Sequence, residues 1–413
     1  MHSNASGSAS GGAPRLLLLM GQSPFDPSSG AAQSMRSTAT LLARAGWAVR
    51  CLATTATENG SENVELLLHR FGGALQRKSG VLLGQLDRVE YQLFAVQPNR
   101  GRDWQQDVGV AYNHCYAKLL ADWQPQVLLT FGGDAEDAER REQARAAGVR
   151  VVFALHNLAY LHPDAPESAR EAMYEPQYLL APSQFMASAY ERALGRPVDV
   201  LPPPIDWADL LAPKRSPVFV TFVNPEPAKG LMFMATLAAR LGRERPDVPL
   251  LIIEGRGKAE HFLAAGWRAG VDLARMPNIL ISPGGVRPKD IFANARVLLM
   301  PSVWDEPAGR LAIEAMVNGV PALVSDRGGL AEMVGAAGTA LPLPADLTMD
   351  TRQPVPHAAV QRWLDLLLRL VDEPALYDEF AERARDEAAL RFHPDTLAQQ
   401  YKRYFDRVGI DQD

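Results

Sequence analysis

A chain of 413 residues, 47% hydrophobic and 22% charged, has a globular composition and is long enough for two domains of ordinary size, each with its own core. The formal net charge of −6 argues against a broad nucleic-acid-binding surface, although a local basic patch is compatible with it. Two cysteines, Cys51 and Cys115, are too few for a disulfide framework or a cysteine-rich metal site, and read as small buried residues in a reducing compartment.

Residues 1–13, MHSNASGSASGGA, are small and polar and predict a disordered tail. The run Leu16–Met20 is too short for a signal-peptide core or a membrane span and reads as a buried strand. A cytoplasmic protein is expected, with peripheral association at the inner face of the membrane left open. GQSPFDPSSGAA follows, then a helical pattern from about Gln33 to Ala45 ended by Gly46. Strand, glycine-bearing loop and helix open a doubly wound domain. Ser28, Ser29 and Gly30 can bring backbone amides to a ligand at the helix start, and a plain connecting loop fits as well. The loop is not GxGxxG, which disfavours dinucleotide binding.

Further strands are predicted at Ala48–Ala53, Val89–Phe94, Val127–Phe131, Val149–Ala154 and Tyr178–Ala181, alternating with helices near 104–123, 135–147 and 183–194. This alternation predicts a parallel sheet covered on both faces. Ligands bind such sheets beyond the carboxyl ends of the strands, which singles out Gly132-Gly133-Asp134 and His156-Asn157. His156 directly follows the apolar run VVFAL; a purely structural histidine is the other reading. In APSQF, Ser183 is a helix cap. LPPPIDWADLLAPK, residues 201–214, has four prolines and no periodic pattern. It predicts a linker at 203–213 between domains 14–202 and 214–391.

A second alternating series begins at Val218–Val223 and continues through NPEPAKG, the strand Pro249–Ile253 ending in EGRG, and Leu280–Pro283. Lys229 and Gly230 open a helix directly after a strand, which suits an anion held by both ammonium and helix end; a solvated lysine is the plainer alternative. The series leads into PSVWDEPAGRLAIEAMVNGVPALVSDRGGLAEMV, residues 301–334. Pro307 suits a first helical turn, so a helix is predicted from there to about Asn318, ended by Gly319. Glu306 then lies just outside the helix and Glu314 inside it. Between them, the backbone N–H groups of Ala308, Gly309 and Arg310 form an anion site at the positive helix end.

Two carboxylates thus flank a phosphate pocket. Carboxylates repel phosphates but accept hydrogen bonds from hydroxyls in pairs, so a ligand with an anionic centre and a diol on each side fits: a nucleotide diphosphate-sugar. The alternative makes Glu306 a helix cap and Glu314 a solvated helix residue. Farther on, Gly328-Gly329 can approach a ligand closely, and Glu332 caps or orients that loop. Beyond Pro354, helices are predicted near 357–372, 375–389 and 394–407, with Trp363, Leu366, Leu367 and Leu370 at core spacing.

Glu-x7-Glu within PS-x-W-x-EPxGR-x-x-IEA, followed by GVPALVSDRGGLAE, resembles the donor-site signature of the retaining family-4 glycosyltransferases of GT-B fold, the glycosyl transferases group 1. The resemblance covers nearly the whole chain after residue 14 and is strongest from about 218 to 342. It implies an α/β protein of two Rossmann-like doubly wound domains facing across a cleft: an N-terminal acceptor domain, and a nucleotide-sugar donor domain. A C-terminal helix, residues 392–413, would return to the first domain. It implies that Glu306 faces the donor sugar, that Glu314 holds the ribose diol, and that the backbone around Gly309, Arg310 and Leu311 faces pyrophosphate and sugar. His156 would reach toward the donor sugar, Lys229 would grip the diphosphate, and the loop with Gly30 would lie at the cleft near the phosphates. Two positions depart from the family pattern. Ala308 stands where a large aromatic is usual, and Asn224 where an arginine usually precedes the lysine by five residues. Lys229 must then supply more of the neutralisation, helped by Arg256 or Arg310.

The implied activity is transfer of a sugar, with retention, from a nucleotide diphosphate-sugar to an acceptor hydroxyl in glycan, polysaccharide or glycoconjugate biosynthesis. The leaving group would be stabilised electrostatically, with the departing phosphate helping to deprotonate an acceptor that attacks from the same face. The only Asp-x-Asp is the terminal Asp411-Gln412-Asp413, so neither a metal nor another cofactor is implied. Alternatives on the same scaffold are a phosphorylase, a sugar-nucleotide epimerase, and a catalytically silent binding or scaffold protein. Saccharide, lipid-linked sugar and small-molecule acceptors are all compatible, and the loops 56–63 and 97–103, with Arg100 and Arg102, carry little readable signal. No nucleic-acid partner and no transmembrane segment are expected.

Overall fold

The computed structural model describes residues 12–58, 60–61, 63–71, 73–97, 106–165, 167–171 and 173–410. The expected tail falls outside these but for its last two residues; Arg100, Arg102 and the terminal Asp-x-Asp also lie outside. The chain forms two compact units.

The first unit comprises residues 1–154, 163–179 and 398–413. Within this unit the main sheet contains β1 (Arg15–Leu19), β2 (Ala48–Thr54), β3 (Leu75–Lys78), β4 (Val81–Leu86), β5 (Val89–Phe94), β6 (Val127–Thr130) and β7 (Arg150–Ala154), in the order β7-β6-β1-β2-β5-β4-β3. From β7 to β5 every pairing is parallel. The central strand β1 is buried on both faces, which is why its sequence is a continuous leucine run rather than an alternation. At the far edge the parallel expectation is corrected, because β3, β4 and β5 form an antiparallel meander. Its two-residue turns, Ser79-Gly80 and Asp87-Arg88, have left-handed backbone at both positions, the hairpin geometry that matches strand twist.

The helix after β1 begins at Gly30, three residues earlier than predicted, where the Ser29 hydroxyl accepts from the Ala32 N–H. Most of the last helix, Pro394–Ile410, belongs to this unit. There Trp47 donates its indole N–H to Asp406 and meets Phe405 edge-on, and Arg150 donates to the Gly409 carbonyl.

The second unit comprises residues 155–162 and 180–397. Its sheet contains β8 (Phe219–Val223), β9 (Leu250–Ile253), β10 (Ile279–Ser282), β11 (Ala295–Met300), β12 (Ala322–Ser325) and β13 (Ala340–Leu341), ordered β10-β9-β8-β11-β12-β13 and wholly parallel. That is the doubly wound order whose reversal point falls between the first and fourth strands, here β8 and β11. The loops leaving these adjacent strands therefore emerge side by side. Trp363 is fully buried, stacks edge-on against Phe233 at 5.3 Å and donates to the Pro342 carbonyl, so the predicted C-terminal helix face is core.

Two stretches behave differently from expectation. Residues 180–202, assigned from sequence to the first domain, group with the second unit. The expected linker is packed rather than loose: Trp207–Leu210 forms a helical turn, Trp207 donates to the Phe392 carbonyl, and the Asn318 side chain bonds both Leu210 and Ala212.

Candidate active site

The site is built where the loops after β8 and β11 meet. After β8 the chain makes one tight turn, Pro227–Lys229, ended by Gly230 at φ +80°. A Cβ on Gly230 would lie 2.0 Å from the Pro301 carbonyl oxygen, so only glycine permits this approach. The N–H groups of Val303 and Trp304 both donate to the Ala228 carbonyl, at 3.0 and 3.2 Å. Lys229 is thereby fixed against the second loop. Its Nζ lies 2.5 Å from Glu306 Oε1, an oxygen that also accepts from Ser302 Oγ at 2.8 Å. Ser302 is held in turn by Ser325, whose hydroxyl donates to the Ser302 carbonyl. Glu306 is 7% exposed, which makes this a sheltered, hydrogen-bonded ion pair rather than a surface contact.

The helix expected from Pro307 begins instead at Arg310 and runs to Val317. Gly309 causes the shift. Its φ of +65° cannot continue a right-handed helix, and a Cβ there would come 2.2 Å from Leu330 Cδ2. Glu306 is thus separated from the helix by a turn and is not its cap. The expectation that Gly328 and Gly329 approach a ligand is also corrected, because they press on the Glu306–Pro307 backbone. A Cβ on Gly328 would lie 2.4 Å from the Glu306 nitrogen, and the Gly329 N–H donates to the Glu306 carbonyl at 2.7 Å. The first helical amides belong to Arg310 and Leu311, at the positive end of the helix.

Glu314, at 6% exposure, is not a solvated helix residue. Its Oε1 accepts from Arg310 Nε at 2.8 Å across one helical turn. Arg310 Nη1 is buried and has no hydrogen-bond acceptor among the described residues.

Asn224 and Arg256 are organised differently. Asn224 adopts φ +62°, with its amide fully engaged: Nδ2 donates to Glu226 at 2.9 Å, and Oδ1 accepts from the Gly257 N–H at 2.7 Å. Arg256 pairs with the same Glu226 carboxylate at 3.4 Å. Both therefore shape the loops after β8 and β9, and leave Lys229 and Arg310 as the cations adjoining the two glutamates. Gly30 starts its helix in the first unit, where a Cβ would meet nothing within 4 Å.

His156 is half-buried just past β7 in sequence, beside Asn157, whose carbonyl accepts from the Tyr190 hydroxyl. Desolvation lowers its pKa to about 4, so the imidazole is neutral near pH 7 and offers hydrogen bonds rather than charge. Burial raises the thiol pKa of both Cys51 and Cys115, and neither is poised as a nucleophile. Among the described residues there is no cluster of three or more metal-ligating side chains, and no helix is long and apolar enough to cross a membrane.

Sequence reasoning missed the brace behind the site. The Glu332 carboxylate accepts the N–H groups of Gln184 and Phe185, at 2.8 and 3.0 Å, and so caps the helix Gln184–Leu194. Ser183 caps the same helix through Met186 and donates to the Pro307 carbonyl at 2.5 Å. The capping serine was legible because its cap partner is local, whereas Glu332, expected to cap or orient its own loop, caps a helix more than a hundred residues away.

A doubly wound sheet with cation-paired glutamates at its reversal point frames the site. The solved structures agree on the fold. Sucrose-phosphate synthase from Thermosynechococcus elongatus matches at a TM-score of 0.66 and 16% identity, over 96% of this chain and 99% of that one. Anabaena HepE in complex with UDP and glucose matches at 0.65 and 17%, over 94% and 99%. The catalytic domain of Arabidopsis thaliana starch synthase IV bound to ADP and acarbose matches at 0.64 and 13%, over 97% and 100%. The fold is GT-B. Residues 206–387, somewhat under half of the chain, match the family model for glycosyl transferases group 1, and this stretch holds Lys229, Glu306, Arg310 and Glu314. No curated protein sequence matches.

Proposed function

We propose that the protein is a retaining glycosyltransferase that moves a sugar from a nucleotide diphosphate-sugar to an acceptor hydroxyl, in the synthesis of a glycan, polysaccharide or glycoconjugate. The observation that carries this reading is the pairing of two buried glutamates with two cations at one strand-reversal point: Glu306 with Lys229, and Glu314 with Arg310. A donor with a central pyrophosphate and hydroxyls at either end can exchange all four partners at once. The phosphates take Lys229, Arg310 and the amides of Arg310 and Leu311; sugar hydroxyls take Glu306, and the ribose diol takes Glu314. Solved neighbours bound to UDP with glucose, and to ADP, support a nucleotide of this kind.

Bond cleavage leaves a negative nucleotide diphosphate, which Lys229 and Arg310 stabilise without any need for a metal ion. The departing phosphate then receives the acceptor proton as the hydroxyl attacks from the same face. Glu306 orients the sugar, and neutral His156 hydrogen-bonds it. Residues 214–391 act as donor domain and 14–202 as acceptor domain. The two unreactive cysteines fit a cytoplasmic setting, with peripheral attachment to the inner membrane face if the acceptor is lipid-linked.

The test is calorimetric titration with a panel of nucleotide diphosphates and their sugars, beside Glu314→Ala, followed by NMR assignment of the product's anomeric configuration. Selective binding weakened in the variant, with a retained configuration, supports the reading. Phosphate-dependent sugar release would make the protein a phosphorylase, epimer formation an epimerase, and failure of every panel member to bind would replace the donor site with a scaffold role.

A further inference from the structure

A separate cavity of about 190 Å³ lies in the second unit, lined by Leu231, Met232, Val303 and Leu347 below and by Arg268, Arg352, His261, Thr348 and Thr351 at its rim. The lining contains no Asp or Glu, although the chain as a whole carries a net negative charge. Arg268 forms no ion pair among the described residues, and Arg352 is held only by two backbone carbonyls, those of Met349 and Thr351. His261 Nδ1 accepts from the Lys258 N–H, so the neutral ring carries its proton on Nε2 and offers a donor. Two unneutralised guanidinium groups, hydroxyls and an apolar floor share one concavity. A cavity of about 150 Å³ already encloses a benzene ring, so the body of the ligand is ring-sized. Its head is an anion, because guanidinium forks match phosphate oxygens in pairs.

The cavity also touches the catalytic loop. Pro227 and Gly230, which bound the turn that carries Lys229, form part of the wall, as does Val303, whose N–H holds that turn through Ala228. We propose that this cavity is an effector site for a small organic phosphate monoester, its ring on Leu231, Met232, Val303 and Leu347 and its phosphate on Arg268 and Arg352. Occupancy tightens the Pro227–Gly230 turn, and with it the placement of Lys229. None of this depends on what the Glu306–Glu314 site binds.

The experiment is calorimetric titration of the full chain with phenyl phosphate and, separately, inorganic phosphate, using wild type, the double variant Arg268→Ala/Arg352→Ala, and Glu314→Ala. The expected result is one phenyl phosphate per chain, bound at least roughly tenfold more tightly than inorganic phosphate, from burial of the ring. Affinity falls at least roughly tenfold in the double arginine variant, from loss of the charged contacts, and is unchanged in Glu314→Ala. Hydrogen exchange supplies the second readout: amides of residues 228–231 and 303–304 slow on binding in wild type and not in the double variant. Absence of binding overturns the proposal, as does equal affinity for inorganic phosphate. A changed affinity in Glu314→Ala with no change in the double arginine variant would place the anion at Arg310, the partner of Glu314, instead. Binding without slowed exchange would overturn the coupling to Lys229.

Discussion

Lys229 Nζ and Glu306 Oε1, 77 residues apart in the chain, lie 2.5 Å from one another in the second unit. The contact exists because β8 and β11 are sheet neighbours, and because a glycine after the lysine lets its loop rest on the Pro301 carbonyl. Carboxylate and ammonium hold one another in place.

On the proposed function, replacing Lys229 by alanine removes a cation from the developing charge of the leaving group. Turnover with the donor identified by titration should fall by roughly 10²–10³-fold, the usual cost of deleting one such electrostatic contact. Circular dichroism should show an intact fold. An unchanged rate would remove Lys229 from the reaction.

Gly230→Ala tests the loop rather than the charge. The added Cβ meets backbone at 2.0 Å at a residue with φ +80°, and neither the carbonyl of Pro301 nor the turn can yield cheaply. The expected loss of stability is on the order of 2 kcal/mol or more, read as a lower denaturation midpoint. Gly30→Ala is the control: its Cβ enters open space at a helix start, and stability should be unchanged or raised by about 0.4–1 kcal/mol. Equal destabilisation by both would refute the close-approach argument.

Glu314→Gln keeps the shape of the side chain and removes the charge that pairs with Arg310. A ribose diol would lose its charged acceptor, so nucleotide affinity should weaken by about tenfold, roughly 1.4 kcal/mol. Calorimetry with the selected nucleotide decides it. Affinity equal to wild type would show that Glu314 serves the helix alone.

His156 has a folded pKa of about 4, below the ordinary value of 6.5, because burial disfavours the charged ring. The unfolded chain therefore binds a proton at this residue before the folded chain does. The resulting stability is fully present above about pH 6.5 and is lost as pH falls from there toward 4. His156→Gln should flatten the fall in denaturation midpoint across that window, leaving other acid-sensitive groups in place. The pH–rate profile between 6 and 8 should carry no inflection from this residue. A slope unchanged by the substitution would contradict the burial effect.

Local physics makes much of the chain legible in sequence. Apolar runs such as Leu16–Met20 mark strands buried on both faces, helical spacing marks the Trp363 face as core, and serine before a helix marks Ser183 as a cap. The residue pattern around Glu306 and Glu314 pointed to a candidate site because carboxylates bracketing a helix end would admit few ligands. The β3–β5 hairpins were written in Ser79-Gly80 and Asp87-Arg88, but a period count blurs such short strands. Tertiary structure alone decided where the helix after Glu306 begins, with Gly309 left-handed and too close to Leu330 for any side chain, and set Gly328 and Gly329 against the Glu306–Pro307 backbone. It also decided which cation meets which carboxylate. Asn224 spends its amide on Glu226 and Gly257, Arg256 goes to Glu226, and Arg310 takes Glu314. The division has a simple cause. Propensity, burial and caps act within a few residues, whereas ion pairs form between side chains that the strand order brings together, and one chain position says nothing of who stands across the sheet.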